Sequence, residues 1–240
     1  MKPLALLHGW GATPRIWQRQ AEAFGRAGTV LAPPIQEWTA AWLANLLSGL
    51  TGSQLQGSVL VGWSLGGMLL LEALAQFRGP GPAALVLVGV PAVFCHRPDH
   101  PWGQPPATVR AMRMGLKSQP TRVLRDFLAA CLAPGEETFR AEATAGFDFA
   151  AGPAHLAQGL DYLKDKDLRG LLGRISGPVD LIQGGQDAIV PPTQAAFLQE
   201  QLPGARLHMF PGAGHLPFLT QAEAFNDVLR GVIELSAKGA

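Results

Sequence analysis

The sequence predicts an α/β protein: a mostly parallel sheet with helices on both faces, interrupted by one inserted helical cap. Three observations point there. Short apolar runs alternate along the chain with helical patterns, the rhythm of a parallel sheet whose crossovers are helices. A serine stands in Gly62-Trp63-Ser64-Leu65-Gly66, between the apolar run 59–61 and a long apolar helical pattern over 68–77, so a buried strand would turn sharply into a helix at that residue. From about residue 92 to residue 173 the strand-like runs stop.

The first run, 4–7, faintly imitates a signal peptide. Its apolar stretch falls short of the roughly 7 to 15 residues such a region needs and passes straight into His8-Gly9-Trp10-Gly11, so it reads as a core strand. Further strands are expected at 29–32, 58–61, 84–88, 179–183 and 206–210. Helices are expected at 14–26, 38–50, 65–77, 192–201 and 222–236, with turns such as Gly79-Pro80-Gly81-Pro82 and Leu202-Pro203-Gly204 between elements. Residues 53–71 carry no charge, but Gln54, Gln56 and four glycines make them a poor lipid-facing helix. Strand, elbow and helix account for them better.

The interruption begins at a proline-rich entry, Pro98, Pro101, Pro105 and Pro106, and continues as amphipathic helix. It reads as a cap over 92–173 inserted into a core made of 1–91 and 174–240. An insertion at the carboxyl ends of parallel strands lies where ligands bind in open α/β sheets, so its expected work is to cover the serine and shape a pocket.

Composition narrows the function. The chain has 240 residues, 48% hydrophobic and 15% charged, enough for one good core. A net charge of +1 without any run of lysine or arginine gives no general attraction to nucleic acid or membrane surfaces. Cys95 and Cys131 are too few for a disulfide framework, and a reduced cytosolic chain is the simplest reading, although one bridge between them is compatible with the sequence.

A serine hydroxyl is a poor nucleophile at neutral pH, so a base, an orienting carboxylate and an oxyanion site must accompany Ser64. Gly184-Gly185-Gln186-Asp187 follows the strand at 179–183 and makes Asp187 the acid candidate. The loop Pro211-Gly212-Ala213-Gly214-His215 follows the strand at 206–210 and makes His215 the base candidate. Nucleophile, acid and histidine then occur in the order this elbow chemistry requires. Glycines after the first strand let a backbone amide approach the elbow, so the amides of Trp10 and Leu65 are the expected oxyanion donors and His8 a structural residue of that turn. His96 and His100 stand four apart, but Pro98 and Pro101 oppose a helix there and no carboxylate or cysteine cluster completes a metal site. They are expected as a solvent-facing loop pair, and His155 and His208 as structural residues. Neither a metal nor a cofactor is called for.

These four motifs together resemble the α/β-hydrolase superfamily, and the fold expected is that superfamily's. More narrowly, the tryptophan in each of the first two motifs, Asp126-Phe127-Leu128-Ala129-Ala130-Cys131, and Leu163-Lys164-Asp165-Lys166-Asp167-Leu168-Arg169 resemble the pimeloyl-acyl-carrier-protein methyl ester esterase family of biotin biosynthesis. The resemblance implies a cytoplasmic, monomeric serine carboxylesterase with Ser64, Asp187 and His215 as its triad and Trp10 and Leu65 as oxyanion donors. It implies that Phe127, Leu128, Ala129, Ala130 and Cys131 line the acyl channel, with Phe94 adding apolar contact. It also implies an acyl-carrier protein as partner, with Arg122 the matching cap arginine, while Asp126 stands where that family has a basic residue. Two further departures are the short stretch before His8 and Leu31-Ala32-Pro33-Pro34-Ile35, which replaces an aspartate-proline-glycine turn. A general short- or medium-chain carboxylesterase or thioesterase is the second enzyme reading. A non-catalytic ligand-binding protein of the same fold would lack a triad member, and none is missing.

Overall fold

A computed structural model of the chain describes residues 2–49 and 52–238. The expected helix end at Leu50 and the outer core limits at residues 1 and 240 lie outside the described residues. Among those described, six strands form a single parallel sheet in the order β2-β1-β3-β4-β5-β6. They are β1 (Leu4–Leu7), β2 (Val30–Leu31), β3 (Val59–Trp63), β4 (Ala84–Val88), β5 (Val179–Gly184) and β6 (Arg206–Phe210). The central β3, β4 and β5 are buried along their whole length, as strands of a sheet covered on both faces must be, and β5 buries Asp180 and Gln183 among its apolar residues. In register, Gly62 stands opposite both Leu7 and Leu87, so the ends of β1, β3 and β4 form one rim.

The edge strand β2 is shorter than its sequence run. It pairs only through Val30 and Leu31, because Pro33 and Pro34 follow and proline has no amide to extend a ladder. The expected helix at 14–26 divides into a 3-10 turn, Pro14–Trp17, capped by Thr13, and α1 (Gln18–Gly25). Beyond it come α2 (Ala40–Ser48), capped by the Thr39 hydroxyl, α3 (Gly52–Gly57) and α4 (Leu65–Gln76), whose almost wholly buried sequence runs through the core.

Between β4 and β5 the described residues form no strand of the sheet. They supply α5 (Pro106–Gly115), α6 (Pro120–Cys131), a 3-10 turn at Glu137–Phe139, α7 (Arg140–Ala145), α8 (Pro153–Asp165) and a second 3-10 segment at Arg169–Arg174. The two ends of this insertion meet, since the Leu168 amide donates to Ala92 O at 2.9 Å. A buried carboxylate fastens it to the core: Glu72 of α4 accepts from the Tyr162 hydroxyl at 2.6 Å and from Lys166 Nζ at 2.5 Å. The chain closes with α9 (Pro192–Gln201), α10 (Pro217–Thr220) and α11 (Ala222–Lys238).

One expectation is overturned. His96 is exposed, but His100 is buried, with Nε2 3.0 Å from Gln194 Oε1 of α9 and its ring edge-on to Trp102 and Phe197. The tight turn closed by reciprocal Arg97 and His100 backbone bonds folds that ring inward. His208, by contrast, is a structural partner of buried Asp180, at 2.7 Å. Cys95 and Cys131 are both buried and free. Among the described residues no helix is long and apolar enough to cross a membrane, and no group of three or more histidine, cysteine or acidic side chains is placed to hold a metal ion.

Candidate active site

Ser64 is the one described non-glycine residue with positive φ, 54°. L residues enter that region only where the surroundings enforce it, and here the enforcement is local. The Ser64 amide donates to Val88 O at 2.9 Å, and the helix begins at the next residue. Two glycines let the turn close: a Cβ on Gly62 would lie 2.5 Å from Gly67 Cα, and one on Gly66 would lie 2.4 Å from His8 O. The second contact also seats the loop after β1 directly on the elbow helix. Ser64 is 3% exposed, and its hydroxyl makes no hydrogen bond to another described residue.

That loop carries the expected oxyanion donors. The amides of Trp10 and Leu65 are not taken up by any acceptor among the described residues, and a Cβ on Gly9 would touch Ser64 Cβ at 3.1 Å. His8 holds the loop from behind: Nδ1–H donates to Gly9 O at 2.9 Å and Nε2 accepts from the Ile35 amide at 3.2 Å. Burial pushes its imidazole down to about 4, so at neutral pH the ring is uncharged, as a ring that both donates and accepts must be. The Trp10 indole N–H donates to Leu156 O of α8 at 2.8 Å, pinning the loop to the insertion.

Asp187 and His215 meet at the ends of β5 and β6. His215 Nδ1 lies 2.7 Å from Asp187 Oδ2, both side chains being wholly buried. The other carboxylate oxygen, Oδ1, accepts from the Ile189 and Val190 amides at 2.8 Å each, and Gln183 Nε2 donates to Oδ2 at 3.2 Å. Three donors thus hold the carboxylate with Oδ2 toward the imidazole, which selects the tautomer with the proton on Nδ1. The His215 amide donates to Cys131 O at 2.8 Å and its carbonyl accepts from the Trp63 indole N–H at 2.9 Å. Only Nε2 remains, buried and without a partner among the described residues. Gly89, which follows the residue that binds the Ser64 amide, abuts the ring: a Cβ there would lie 2.9 Å from Nδ1. Serine and imidazole therefore flank the same two residues, 88 and 89, with the Nε2 to Oγ hydrogen bond not formed. Such bonds commonly tighten only with substrate present.

One face of α6 packs against the loop after β1. Phe127 is edge-on to Trp10, with ring centroids 5.0 Å apart, and Leu128 and Cys131 are buried with it. Ala129 is half-buried and Ala130 exposed, because a helix cannot turn five successive side chains to one side. Phe94 is buried near the insertion's entry. Arg122 projects from the opposite face, near Asp126 Oδ2 at 3.7 Å. Burial, aided by the Asp187 charge, pushes the Cys131 thiol well up, so it stays a thiol.

Sequence reasoning missed the residues that orient the catalytic candidates. Gln183 left a signal, a lone amide at the end of an apolar strand. Glu136, whose Oε2 accepts from the Ala133 amide at 2.8 Å and the Gly214 amide at 3.1 Å, left none in a Pro-Gly-Glu-Glu turn. Neither did Gln104, which donates to Ala188 O at 2.7 Å and Ile189 O at 2.9 Å in the acid loop.

The chain matches the alpha/beta hydrolase family over residues 4–228. It is 35% identical to a pimeloyl-[acyl-carrier protein] methyl ester esterase of Aromatoleum aromaticum, covering 95% of this chain and 98% of that one. It is 34% identical to the protein of the same name from Nitrosomonas europaea, over 92% of each. Among solved structures, a bromoperoxidase of Bacillus anthracis superposes with a TM-score of 0.85 at 26% identity, covering 97% of this chain and 92% of that one. An esterase of Exiguobacterium antarcticum reaches 0.84 at 24%, covering 98% and 92%, a likeness of fold.

Proposed function

The chain belongs to the alpha/beta hydrolase family, and from that premise we propose that Ser64, His215 and Asp187 hydrolyse a carboxylic ester, the methyl ester of pimeloyl-acyl-carrier protein in biotin biosynthesis. The relatives' shared name supports the substrate. The observation that carries the chemistry is His215 itself: every polar group of that residue is committed except Nε2.

In this reading Nε2 takes the Ser64 proton as Oγ attacks the ester carbonyl. Asp187 stabilises the imidazolium and holds its tautomer. The amides of Trp10 and Leu65 receive the charge that develops on the carbonyl oxygen. Collapse of the tetrahedral intermediate breaks the bond to the methoxy oxygen, which leaves as methanol with the proton from Nε2. Water, deprotonated by the same nitrogen, then attacks the acyl-serine and releases the carboxylate, with the proton returning to Ser64.

Residues 92–173 serve as a cap in this reading, with Phe127, Leu128 and Cys131 lining the acyl channel and Ala129 and Ala130 completing the turn that bears them. Arg122 is the proposed contact to the acidic carrier protein. Arg125 and Arg140 stand with Thr121, Leu128 and Phe149 around an open cleft of about 280 Å³, and neither guanidinium is in a salt bridge among the described residues, which supports an anionic partner on the same face. A monomer working in the cytoplasm, without cofactor, completes the proposal.

Fluorophosphonate labelling followed by peptide mapping tests the chemistry. The label is expected on Ser64, with esterase activity lost in Ser64→Ala; a label elsewhere, or an active Ser64→Ala, overturns it. Turnover of carrier-bound methyl pimeloyl far above that of a free short-chain ester, with complementation of a strain lacking the biotin-pathway esterase, supports the substrate. Activity on simple esters alone would instead identify a general carboxylesterase or thioesterase.

A further inference from the structure

We propose that Glu136 is a positioning residue for the catalytic histidine: its carboxylate ties the base loop to the cap and so sets where His215 presents Nε2. The proposal rests on the hydrolase reading above. Glu136 is 6% exposed, in the turn after α6. Its Oε2 bridges two amides of different segments, Ala133 of the cap and Gly214 of the base loop. The next amide along, that of His215, ends on the cap carbonyl of Cys131. Two successive amides of the base loop are therefore held by residues 131–136, and nothing in the sheet replaces them.

The fit is too close for the loop to settle elsewhere. A Cβ on Gly214 would lie 2.6 Å from Cys131 O, 2.7 Å from Ala133 N and 3.0 Å from Glu136 Oε2. On its other side, a Cβ on Gly184 would lie 1.9 Å from Gly214 O. The loop is thus gripped between the end of β5 and the cap turn. The second carboxylate oxygen, Oε1, is buried without a partner among the described residues. A buried acceptor left half-used is costly, and a glutamate kept under that cost fits a task in which reach and a doubly accepting oxygen matter more than stability. Losing the bridge would leave two buried amides unsatisfied and free the backbone just before the imidazole, at Gly214, where displacement on the order of 1 Å costs up to about 10²-fold in rate.

The test compares Glu136→Gln, Glu136→Asp and Glu136→Ala with Glu137→Ala in the full chain. Glu137 is exposed and caps the Gly135 amide without touching the base loop. Hydrolysis of a short p-nitrophenyl ester is measured per site titrated with fluorophosphonate, so unfolded protein is not counted. Glu136→Ala is expected to lower kcat at least about tenfold with KM little changed, as expected for an interaction that acts in the transition state. Glu136→Gln, which keeps a carbonyl oxygen at the same reach, should recover most of that loss; Glu136→Asp, which keeps the charge but shortens the reach, should not. Should the alanine variant fail to fold, the aspartate and glutamine variants decide the matter. Equal kcat in glutamate, glutamine and aspartate forms, or an equal fall in Glu137→Ala, overturns the proposal. An inactive parent enzyme, or one labelled away from Ser64, instead overturns the hydrolase reading on which it rests.

Discussion

The nucleophile elbow and the base loop are held in different ways. The elbow is closed from within the core: Gly62 against Gly67, Gly66 against His8, Gly67 against Val90, and the Ser64 amide on Val88. The loop bearing His215 takes its carboxylate partner from the turn after β5, its carbonyl partner from Trp63, and its two amide partners from the insertion. In the proposed reading, a site assembled this way keeps Ser64 strained and in place while His215 answers to the insertion. The difference also separates what each kind of substitution should do.

The largest effect is expected at the base. Asp187→Asn keeps the size and the bonds from Ile189 and Val190 but turns a donor toward Nδ1, forcing the wrong tautomer. A fall in kcat on the order of 10⁴ is expected, with thermal unfolding little changed. A fall of less than tenfold in steady-state assays would remove Asp187 from its role.

Acid probes the elbow side through His8. Its folded pKa is depressed to about 4 from 6.5, so between those values the unfolded chain binds the extra proton. Stability from this group is complete above pH 6.5 and is lost as the pH falls toward 4, by about 3 kcal/mol. His155 acts against protonation and Asp148 for it, both more weakly than burial. Urea unfolding at stepped pH should show the slope in the parent and lose it in His8→Gln; the same slope in both would place the titration elsewhere.

Gly66→Ala tests whether the elbow depends on close backbone packing. The new Cβ would meet His8 O at 2.4 Å and Leu7 O at 2.9 Å, and backbone cannot yield cheaply. A loss of about 2 kcal/mol is expected from chemical denaturation, and an unchanged midpoint would show that the turn at Ser64 does not depend on that close packing. The smallest effect on catalysis belongs to Trp63→Phe, which removes the indole donor to His215 O and part of a fully buried ring packed on Phe147 and Phe218. The lost hydrogen bond is expected to cost about 1 kcal/mol in kcat for ester hydrolysis, and the emptied ring volume at least about as much in stability by urea unfolding.

How far the molecule was legible follows the same division. The run 84–88 declares a buried strand because each residue is apolar, and 179–183 does so through Val179, Leu181 and Ile182 despite Asp180 and Gln183; β4 and β5 occupy them nearly residue for residue. The elbow was legible because its glycines and its strand-to-helix change are neighbours in sequence. His100 was misread as exposed because the partner that buries it, Gln194, stands far along the chain. Glu136 was invisible for the same reason: a glutamate in a turn has the pattern of a solvated charge until Gly214 is folded onto it.

The sequence by itself determined the alternation of strands and helices, the strained turn at Ser64, and the order of serine, aspartate and histidine, since each is written in residues close together or in the sequence of elements. Only the tertiary structure decided which atoms of His215 are spent and which is left, that α6 turns Phe127 inward and Ala130 outward, and that the insertion grips the loop at Gly214 and His215 through Cys131 and Glu136. Those outcomes depend on hydrogen bonds between segments far apart in the chain, whose partners are chosen by geometry that local pattern does not encode.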